Sequence, residues 1–151
     1  MLVKDTMCVD VKTCKPDTPI KDIATIMCFN KISGLPVVDD NDYVVGVISE
    51  KDILCSMFPD MRELVESGAK PNFEDMEKDY HSVLGKKVED LMTNTVATVS
   101  PDMPILRAAS MMWIRKIRRI PVVDGDNKLV GILSMGDVHK AVFQESLLIK
   151  S

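Results

Sequence analysis

The chain has 151 residues, 46% of them hydrophobic and 28% charged, with a formal net charge of −4 at pH 7. This length suits one domain with a substantial core, and the negative charge gives no reason to expect nucleic-acid binding. No apolar run approaches the roughly 18 residues that span a bilayer, and the N-terminus lacks a signal-peptide pattern, so we expect a cytoplasmic protein without membrane contact.

The first elements predicted along the chain are a short extended segment and a helix. Val9-Asp10-Val11 alternates apolar and polar residues, as a half-buried extended segment does. The two prolines of Lys15–Pro19 oppose continuation of a strand and predict a helix that Thr18 caps and Pro19 begins. Apolar residues recur on one face of that helix, at Ile20, Ile23, Ala24 and Met27.

A hairpin and a second helix are predicted next. The runs Gly34–Asp39 and Val44–Ser49 are apolar and β-branched, and the turn between them is rich in Asp and Asn, which predicts two paired strands. Ser49 stands where a helix N-cap belongs. Pro59 ends the helix that follows, whose inward residues are predicted to be Ile53, Leu54 and Met57.

The same pattern occurs again 85 positions later. Pro36, Gly46 and Asp52 correspond without a gap to Pro121, Gly131 and Asp137, and the helix stripe recurs as Ile105, Ala108, Ala109 and Met112. Residues 1–58 and 87–151 are therefore two predicted repeats, joined by a partly helical connector over residues 59–86. Neither repeat can cover its own sheet alone, so we expect the two to form one module.

The sequence contains no recognisable catalytic or metal-binding pattern. It has no GxxxxGK[ST] loop and no GxSxG motif, and its two His residues lie in a polar segment and on a helix turn. Its four cysteines form no CxxC pair and have no His at metal-ligand spacing. We therefore expect no enzymatic activity, no metal site and no required cofactor, and we interpret Cys8, Cys14, Cys28 and Cys55 as reduced, apolar packing residues.

Two in-register copies of Gly-apolar-apolar-Ser-x-x-Asp are each preceded by an apolar-Pro-Val-Val-Asp strand and by a Val-x-Asp-x-Met segment. This combination resembles the tandem CBS-domain module, also called a Bateman module, over nearly the whole chain. The resemblance implies an α+β fold of two CBS repeats, each strand-helix-strand-strand-helix, related by a pseudo-twofold axis with their sheets packed together. It also implies a flat homodimer and two clefts between the repeats, which in this family often bind adenosine compounds.

The Ser-x-x-Asp motif suits such a ligand on chemical grounds. A helix N-terminus offers unsatisfied N–H groups and partial positive charge, so Ser49 or Ser134 at that position can bind a phosphate. Asp52 or Asp137, in the first turn, offers two acceptor oxygens to the 2′ and 3′ hydroxyls of a ribose. The alternative is that each Ser only caps its helix and each Asp only stabilises the positive helix end.

In the family, each pocket combines a motif from one repeat with residues from the other. The resemblance implies a first pocket of Ser49, Lys51 and Asp52 with Thr95, Ala97, Ile117, Arg118 and Arg119. It implies a second pocket of Ser134, Gly136 and Asp137 with Asp10, Lys12, Ile32, Ser33 and Gly34. Backbone amides would bind the purine edge, while one of the two isoleucines would pack on the purine face.

Basic residues concentrate after the first helix of the second repeat, at Arg115, Lys116, Arg118 and Arg119. One interpretation is that they bind the phosphate of a ligand in the pocket of Asp52. The other is that they are a solvated helix end that interacts favourably with the helix dipole. The corresponding first-repeat segment, Asn30–Gly34, has only one basic residue, which makes the Asp52 pocket the predicted phosphate site.

Three functional classes remain open from the sequence. The first is a regulatory sensor that binds AMP, ADP or ATP and signals through a homodimer to an unidentified regulated protein. The second is the same scaffold with another adenosyl ligand, S-adenosylmethionine or NAD. The third is an interaction or dimerisation module without a small ligand. The homodimer contact is predicted on helix faces rich in methionine, which include Met27, Met57, Met111 and Met112.

Overall fold

The computed structural model describes residues 1–149; residues 150 and 151, at the end of the predicted second repeat, lie outside the described residues. Its elements in chain order are a 3₁₀ turn Val3–Asp5, α1 Ile20–Asn30, β1 Gly34–Val38, β2 Val44–Ser49, α2 Glu50–Cys55, α3 Met61–Glu66, α4 Phe73–Val83, α5 Val88–Leu91, α6 Ile105–Arg115, β3 Arg119–Val123, β4 Leu129–Ser134 and α7 Met135–Ile149.

These elements form two compact units that each combine segments from both halves of the sequence. Unit 1 consists of Met1–Lys12, Val38–Val44 and the described residues from Thr95 onward. Unit 2 consists of Thr13–Val37 and Val45–Asn94. The structural units therefore differ from the sequence repeats.

Unit 2 is built around α1 and the hairpin in which β1 pairs with β2. Ile20, Ile23 and Met27 of α1 are buried, which confirms the predicted apolar face of this helix. The core is completed by residues from both strands and from α2, α4 and α5, and it includes Leu35, Val37, Ile48, Ile53, Val83 and Val88. The last turn of the connector thus belongs to this core.

Unit 1 repeats the arrangement with α6, β3, β4 and α7. Ile105, Ala108 and Met112 of α6 are buried, which confirms the second predicted stripe. β3 and β4 are antiparallel, with Ile120 opposite Leu133. The other buried core residues come from the 3₁₀ turn, the segment before α6, the two strands and α7, and they are Val3, Val99, Ile120, Val122, Leu133 and Val138.

The lead segments, defined as residues 2–8 and 87–93, each join the unit that holds the hairpin of the other repeat. In unit 1, the amides of Cys8 and Ile132 each donate to the carbonyl oxygen of the other, both at 2.9 Å. In unit 2, Val47 and Thr93 form the equivalent pair, at 3.1 and 2.9 Å. Each lead segment therefore lies beside a strand that is distant in the sequence.

Glycine is required where the lead segments lie against the hairpins. A Cβ atom at Gly46 would lie 2.9 Å from the carbonyl oxygen of Thr93 and 2.9 Å from the sulfur of Met92. A Cβ atom at Gly131 would lie 2.9 Å from the carbonyl oxygen of Cys8. The glycine of the repeated motif thus serves backbone packing rather than ligand binding.

The structure corrects three details of the predicted elements. The extended segment Val9-Asp10-Val11 forms no strand, and Val9 is exposed, because the preceding pairing stops at Cys8. Thr18 does not cap α1; its Oγ1 accepts a hydrogen bond from the Lys15 amide at 3.0 Å and closes the turn before the helix. Leu54 is exposed, because Ile53 occupies the inward side of α2.

The predicted roles of the sulfur-containing residues also change. Met27 and Met112 are buried in the two cores, so the prediction that they contribute to a dimer contact is wrong, whereas Met57 and Met111 pack against those cores and are only partly buried. Cys14 is buried, whereas Cys8, Cys28 and Cys55 are exposed, so the packing interpretation holds for Cys14 alone. Within residues 1–149, no helix is both long enough and apolar enough to cross a membrane.

We expect Gly46→Ala to lower the free energy of unfolding by about 1–3 kcal/mol, the usual cost of overpacking. The added methyl group would press on the carbonyl oxygen of Thr93. Gly125→Ala is the matched control, since a Cβ atom there meets nothing within 4 Å. Urea denaturation followed by circular dichroism measures both variants, and equal stabilities would contradict the packing role of Gly46.

We expect Cys14 to make the fold sensitive to alkaline pH. Burial raises the pKa of the Cys14 thiol to about 11, whereas the thiol of a Cys in an unfolded chain has a pKa of about 8.5. Because the folded pKa is the higher one, the contribution of the neutral thiol to stability is complete below about pH 8.5 and is lost as the pH rises towards 11.

The comparison variant for this prediction is Cys14→Val, since Val99 occupies the equivalent position 85 residues later. Urea denaturation of both proteins at neutral and alkaline pH should show a smaller alkaline loss for the variant. A thiol titration of the folded protein at pH 8 should label the three exposed cysteines and spare Cys14. Rapid labelling of all four would show that Cys14 is not protected.

Candidate functional site

The first Ser-x-x-Asp motif forms a complete capping box at the start of α2. Ser49 Oγ accepts a hydrogen bond from the Asp52 amide at 3.2 Å. Asp52 Oδ2 accepts from the Ser49 amide at 2.9 Å and from the Ser49 hydroxyl at 3.1 Å. One carboxylate oxygen of Asp52 is therefore already occupied by the helix cap.

The second oxygen of Asp52 faces the lead segment of unit 2. Thr93 Oγ1 lies 3.5 Å from Asp52 Oδ1, at the limit of a hydrogen bond and therefore weak. The backbone pairing of Thr93 with Val47 fixes this approach. Thr93 was not among the predicted site residues, because its place beside the motif strand depends on a pairing between distant segments that leaves no local pattern in the sequence.

The second motif, at the start of α7, has a different set of hydrogen bonds. Ser134 Oγ accepts from the Asp137 amide at 3.0 Å, as in the first motif. Within residues 1–149, however, no group donates a hydrogen bond to the Asp137 carboxylate. Cys8, the counterpart of Thr93, directs its thiol to the carbonyl oxygen of Asp10 at 3.7 Å instead. Both carboxylate oxygens of Asp137 are thus available as acceptors.

The residues before each hairpin lie beside the motif of their own repeat. The Met135 amide donates to the carbonyl oxygen of Arg118 at 2.8 Å, and Arg119 pairs with Ser134 across β3 and β4. In unit 2, the Glu50 amide donates to the carbonyl oxygen of Ser33 at 2.9 Å. Two arginines thus adjoin the Asp137 motif, whereas small residues adjoin the Asp52 motif.

The predicted site residues divide between the two units. Unit 1 contains Asp10, Lys12, Thr95, Ala97, Ile117, Arg118, Arg119, Ser134, Gly136 and Asp137. Unit 2 contains Ile32, Ser33, Gly34, Ser49, Lys51 and Asp52. Since each predicted pocket draws on both units, its composition remains a prediction from the family resemblance.

Within its own unit, each motif offers the same three chemical groups, which are a helix N-terminus, a Ser hydroxyl and an Asp carboxylate. Ile32, Ile117 and Ala97 pack partly against the core of their own units, whereas Lys51 and Arg118 are exposed. A helix N-terminus, a hydroxyl and a carboxylate can bind a ligand that carries both an anionic group and a diol. Within the described residues, no group of His, Cys, Asp or Glu side chains could hold a metal ion.

Comparison with known proteins identifies the repeats. The family model for the CBS domain matches the chain twice, at residues 3–58 and 88–144. The chloroplastic CBS domain-containing protein CBSX2 of Arabidopsis thaliana is 37% identical over 142 residues, which are 86% of this chain and 58% of that protein. The chain therefore spans about three fifths of the length of this relative.

Solved structures match the fold as well as the sequence. The crystal structure of CBSX2 in complex with AMP has a TM-score of 0.72 and 34% identity, and the match covers 96% of this chain and 98% of that one. The CBS domain pair of protein MJ0100, in complex with 5′-methylthioadenosine and S-adenosyl-L-methionine, has a TM-score of 0.70 and 25% identity, with coverages of 96% and 98%. This chain belongs to the CBS-domain family and contains two copies of the domain in tandem.

Proposed function

We propose that the chain is a regulatory module that binds adenine nucleotides at its two Ser-x-x-Asp motifs and signals their presence to another protein. The observation that carries the proposal is the hydrogen bonding of the Asp137 carboxylate. Its side chain stands half-buried in the first turn of α7 and accepts no hydrogen bond from the described residues. A carboxylate in that position is an acceptor available to a ribose diol.

The groups around Asp137 suit the rest of a nucleotide. The amides at the N-terminus of α7 and the hydroxyl of Ser134 would bind a phosphate oxygen. Arg118 and Arg119 adjoin Ser134 and supply guanidinium groups, which pair well with phosphate. We infer that the Asp52 motif takes the same class of ligand, but there the ligand competes with the helix cap for the carboxylate.

The relatives support an adenosine compound as the ligand. CBSX2 has been crystallised with AMP, and the MJ0100 domain pair with two adenosyl compounds that lack a phosphate. The shared part is adenosine, which is the part that the Asp carboxylate would bind. The second candidate is therefore S-adenosylmethionine or a related adenosyl ligand, and the need for a phosphate distinguishes the two.

We further propose that the module acts as a homodimer through exposed apolar residues on and next to its helices. Phe29 on α1 is 84% exposed, and Ile114, its counterpart 85 positions later on α6, is 75% exposed. Phe58 and Phe143 are a second pair of exposed counterparts. Exposed apolar patches often mark protein–protein contacts, and a twofold dimer uses the same patch on both subunits. The regulated protein would bind this dimer, and we assign the chain no catalytic step.

The ligand proposal predicts a rise in melting temperature with AMP or ATP. A ligand at about a hundredfold excess over its dissociation constant stabilises the folded state by about 2.7 kcal/mol, since the unfolded chain has no site. The shift should be smaller with GMP, because backbone amides would bind the adenine edge, and S-adenosylmethionine tests the second candidate. Shifts with none of these compounds would favour an interaction module without a ligand.

Substitution of the two Asp residues tests the sites themselves. A hydrogen bond to a charged group contributes about 1.5–3 kcal/mol, so Asp137→Ala should weaken adenosine or AMP binding by about tenfold to a hundredfold. Stability should change little, because the Asp137 carboxylate has no partner in the described fold. Asp52→Ala should also cost about 1 kcal/mol of stability through the lost cap.

Titration calorimetry and urea denaturation measure the two effects separately. Asp126→Ala is the control, since this exposed turn residue belongs to neither motif. Unchanged affinity in both Asp137→Ala and Asp52→Ala, with the fold intact, would overturn the assignment of the motifs to the ribose.

A further inference from the structure

The net negative charge of the chain is concentrated in residues 60–79. This segment contains seven Asp or Glu and three Lys or Arg, so its net charge of −4 equals that of the whole chain. Its seven carboxylates are exposed and, within residues 1–149, form no ion pair. We name these residues the acidic surface: Asp60, Glu63, Glu66, Glu74, Asp75, Glu77 and Asp79.

Apolar side chains are exposed in the same segment. Val65 is 70% exposed and Phe73 is 61% exposed. α3 contains no buried residue, so packing within its own unit stabilises this short helix little. α4 packs against the core of unit 2 through its C-terminal residues Tyr80 and Val83, which leaves its acidic first turn in solvent. Exposed apolar residues bordered by charges are typical of a surface that contacts protein.

A surface of the opposite charge lies in unit 1. Between Asp102 and Asp124 the chain has five basic residues and no acidic one. Arg115, Lys116 and Arg118 are exposed and form no ion pair within the described residues. Trp113, which precedes them, is also exposed. We name Arg115, Lys116 and Arg118 the basic patch.

We propose that the acidic surface of one copy of the chain docks on the basic patch of a second copy. The two surfaces carry net charge of opposite sign, and each has an exposed aromatic residue close by in the sequence, Phe73 before Glu74 and Trp113 before Arg115. The ion pair between Lys4 and Asp102, at 3.1 Å, involves neither surface. Such charges attract over about 10 Å at 0.1 M salt and less at higher salt, while the aromatic residues would gain from mutual burial.

A second copy of the chain is the partner we propose, because its basic patch has the charge opposite to that of the acidic surface. Each of the two surfaces also has an exposed aromatic residue that the contact could bury. The contact joins two different surfaces, so it is distinct from a self-complementary apolar dimer. It uses neither the Asp motifs nor the exposed pairs of the proposed homodimer; only Arg118 is shared with the proposed ligand site, and the variants below leave Arg118 unchanged. This proposal could therefore still be tested if the proposed ligand binding or the proposed apolar homodimer proved wrong.

Sedimentation velocity of the full chain at about 50 and 500 mM NaCl tests the contact. The weight-average mass should be higher at low salt, with an association constant at least about tenfold larger than at high salt. The mass that remains at high salt reports the apolar homodimer separately. A mass independent of salt would overturn the proposal.

Two charge-reversed variants make the test specific. Arg115→Glu with Lys116→Glu makes the basic patch net acidic, and Glu74→Lys with Glu77→Lys removes the net negative charge of residues 60–79. Alone, neither variant should have a higher weight-average mass at low salt than at high salt. A mixture of the two should associate again, because the first variant keeps the acidic surface and the second keeps the basic patch.

Lys21→Glu with Lys140→Glu is the matched control, since it changes the net charge as much as reversal of the patch does. It should keep the association of the unmodified chain. Circular dichroism and the high-salt mass verify that every variant is folded. If the mixture shows no increase in mass at low salt, or if the control loses that increase as fully as the variants do, the acidic surface does not bind the basic patch.

Discussion

The backbone pairing between each lead segment and the strand of the other repeat is the constraint on which the structure depends. Two reciprocal hydrogen bonds join Cys8 to Ile132, and two join Val47 to Thr93. Both pairings need a glycine below the lead segment, because a side chain at Gly46 or Gly131 would meet a carbonyl oxygen. As a result, each core contains residues from both sequence repeats: Val88 joins the core of unit 2, and Val3 joins the core of unit 1.

The same pairing makes the two Ser-x-x-Asp motifs chemically different. It places Thr93 beside Asp52, and in the other unit it places Cys8 at the equivalent position, where the thiol points to a backbone oxygen. Asp52 consequently takes part in a closed set of hydrogen bonds, whereas Asp137 accepts none from the described residues. A repeat that is nearly symmetric in sequence therefore presents one occupied and one available carboxylate.

Much of the fold could be predicted from the sequence, because helix and hairpin patterns are local. The stripes of α1 and α6 and the caps at Ser49 and Ser134 follow from residue spacing alone. The partners of the lead segments could not be derived this way, since the pairings of Val47 with Thr93 and of Cys8 with Ile132 join residues 46 and 124 positions apart and leave no local pattern. The lack of a hydrogen-bond donor to the Asp137 carboxylate among the described residues could not be predicted, because it depends on side-chain geometry. The contact of Thr93 with Asp52 could not be predicted either, because Thr93 belongs to no motif.

The division of the chain has a consequence for the order of folding during synthesis. All residues of unit 2 lie between Thr13 and Asn94, so this unit is complete once that stretch has left the ribosome. Residues Met1–Lys12 belong to unit 1, and their partner strand β4 is synthesised more than a hundred residues later. Until then Val3, which is fully buried in the folded unit, has no core to enter. Val3 therefore stays exposed until β4 has been synthesised, and the loop of more than a hundred residues that must close adds to the entropic cost of forming unit 1.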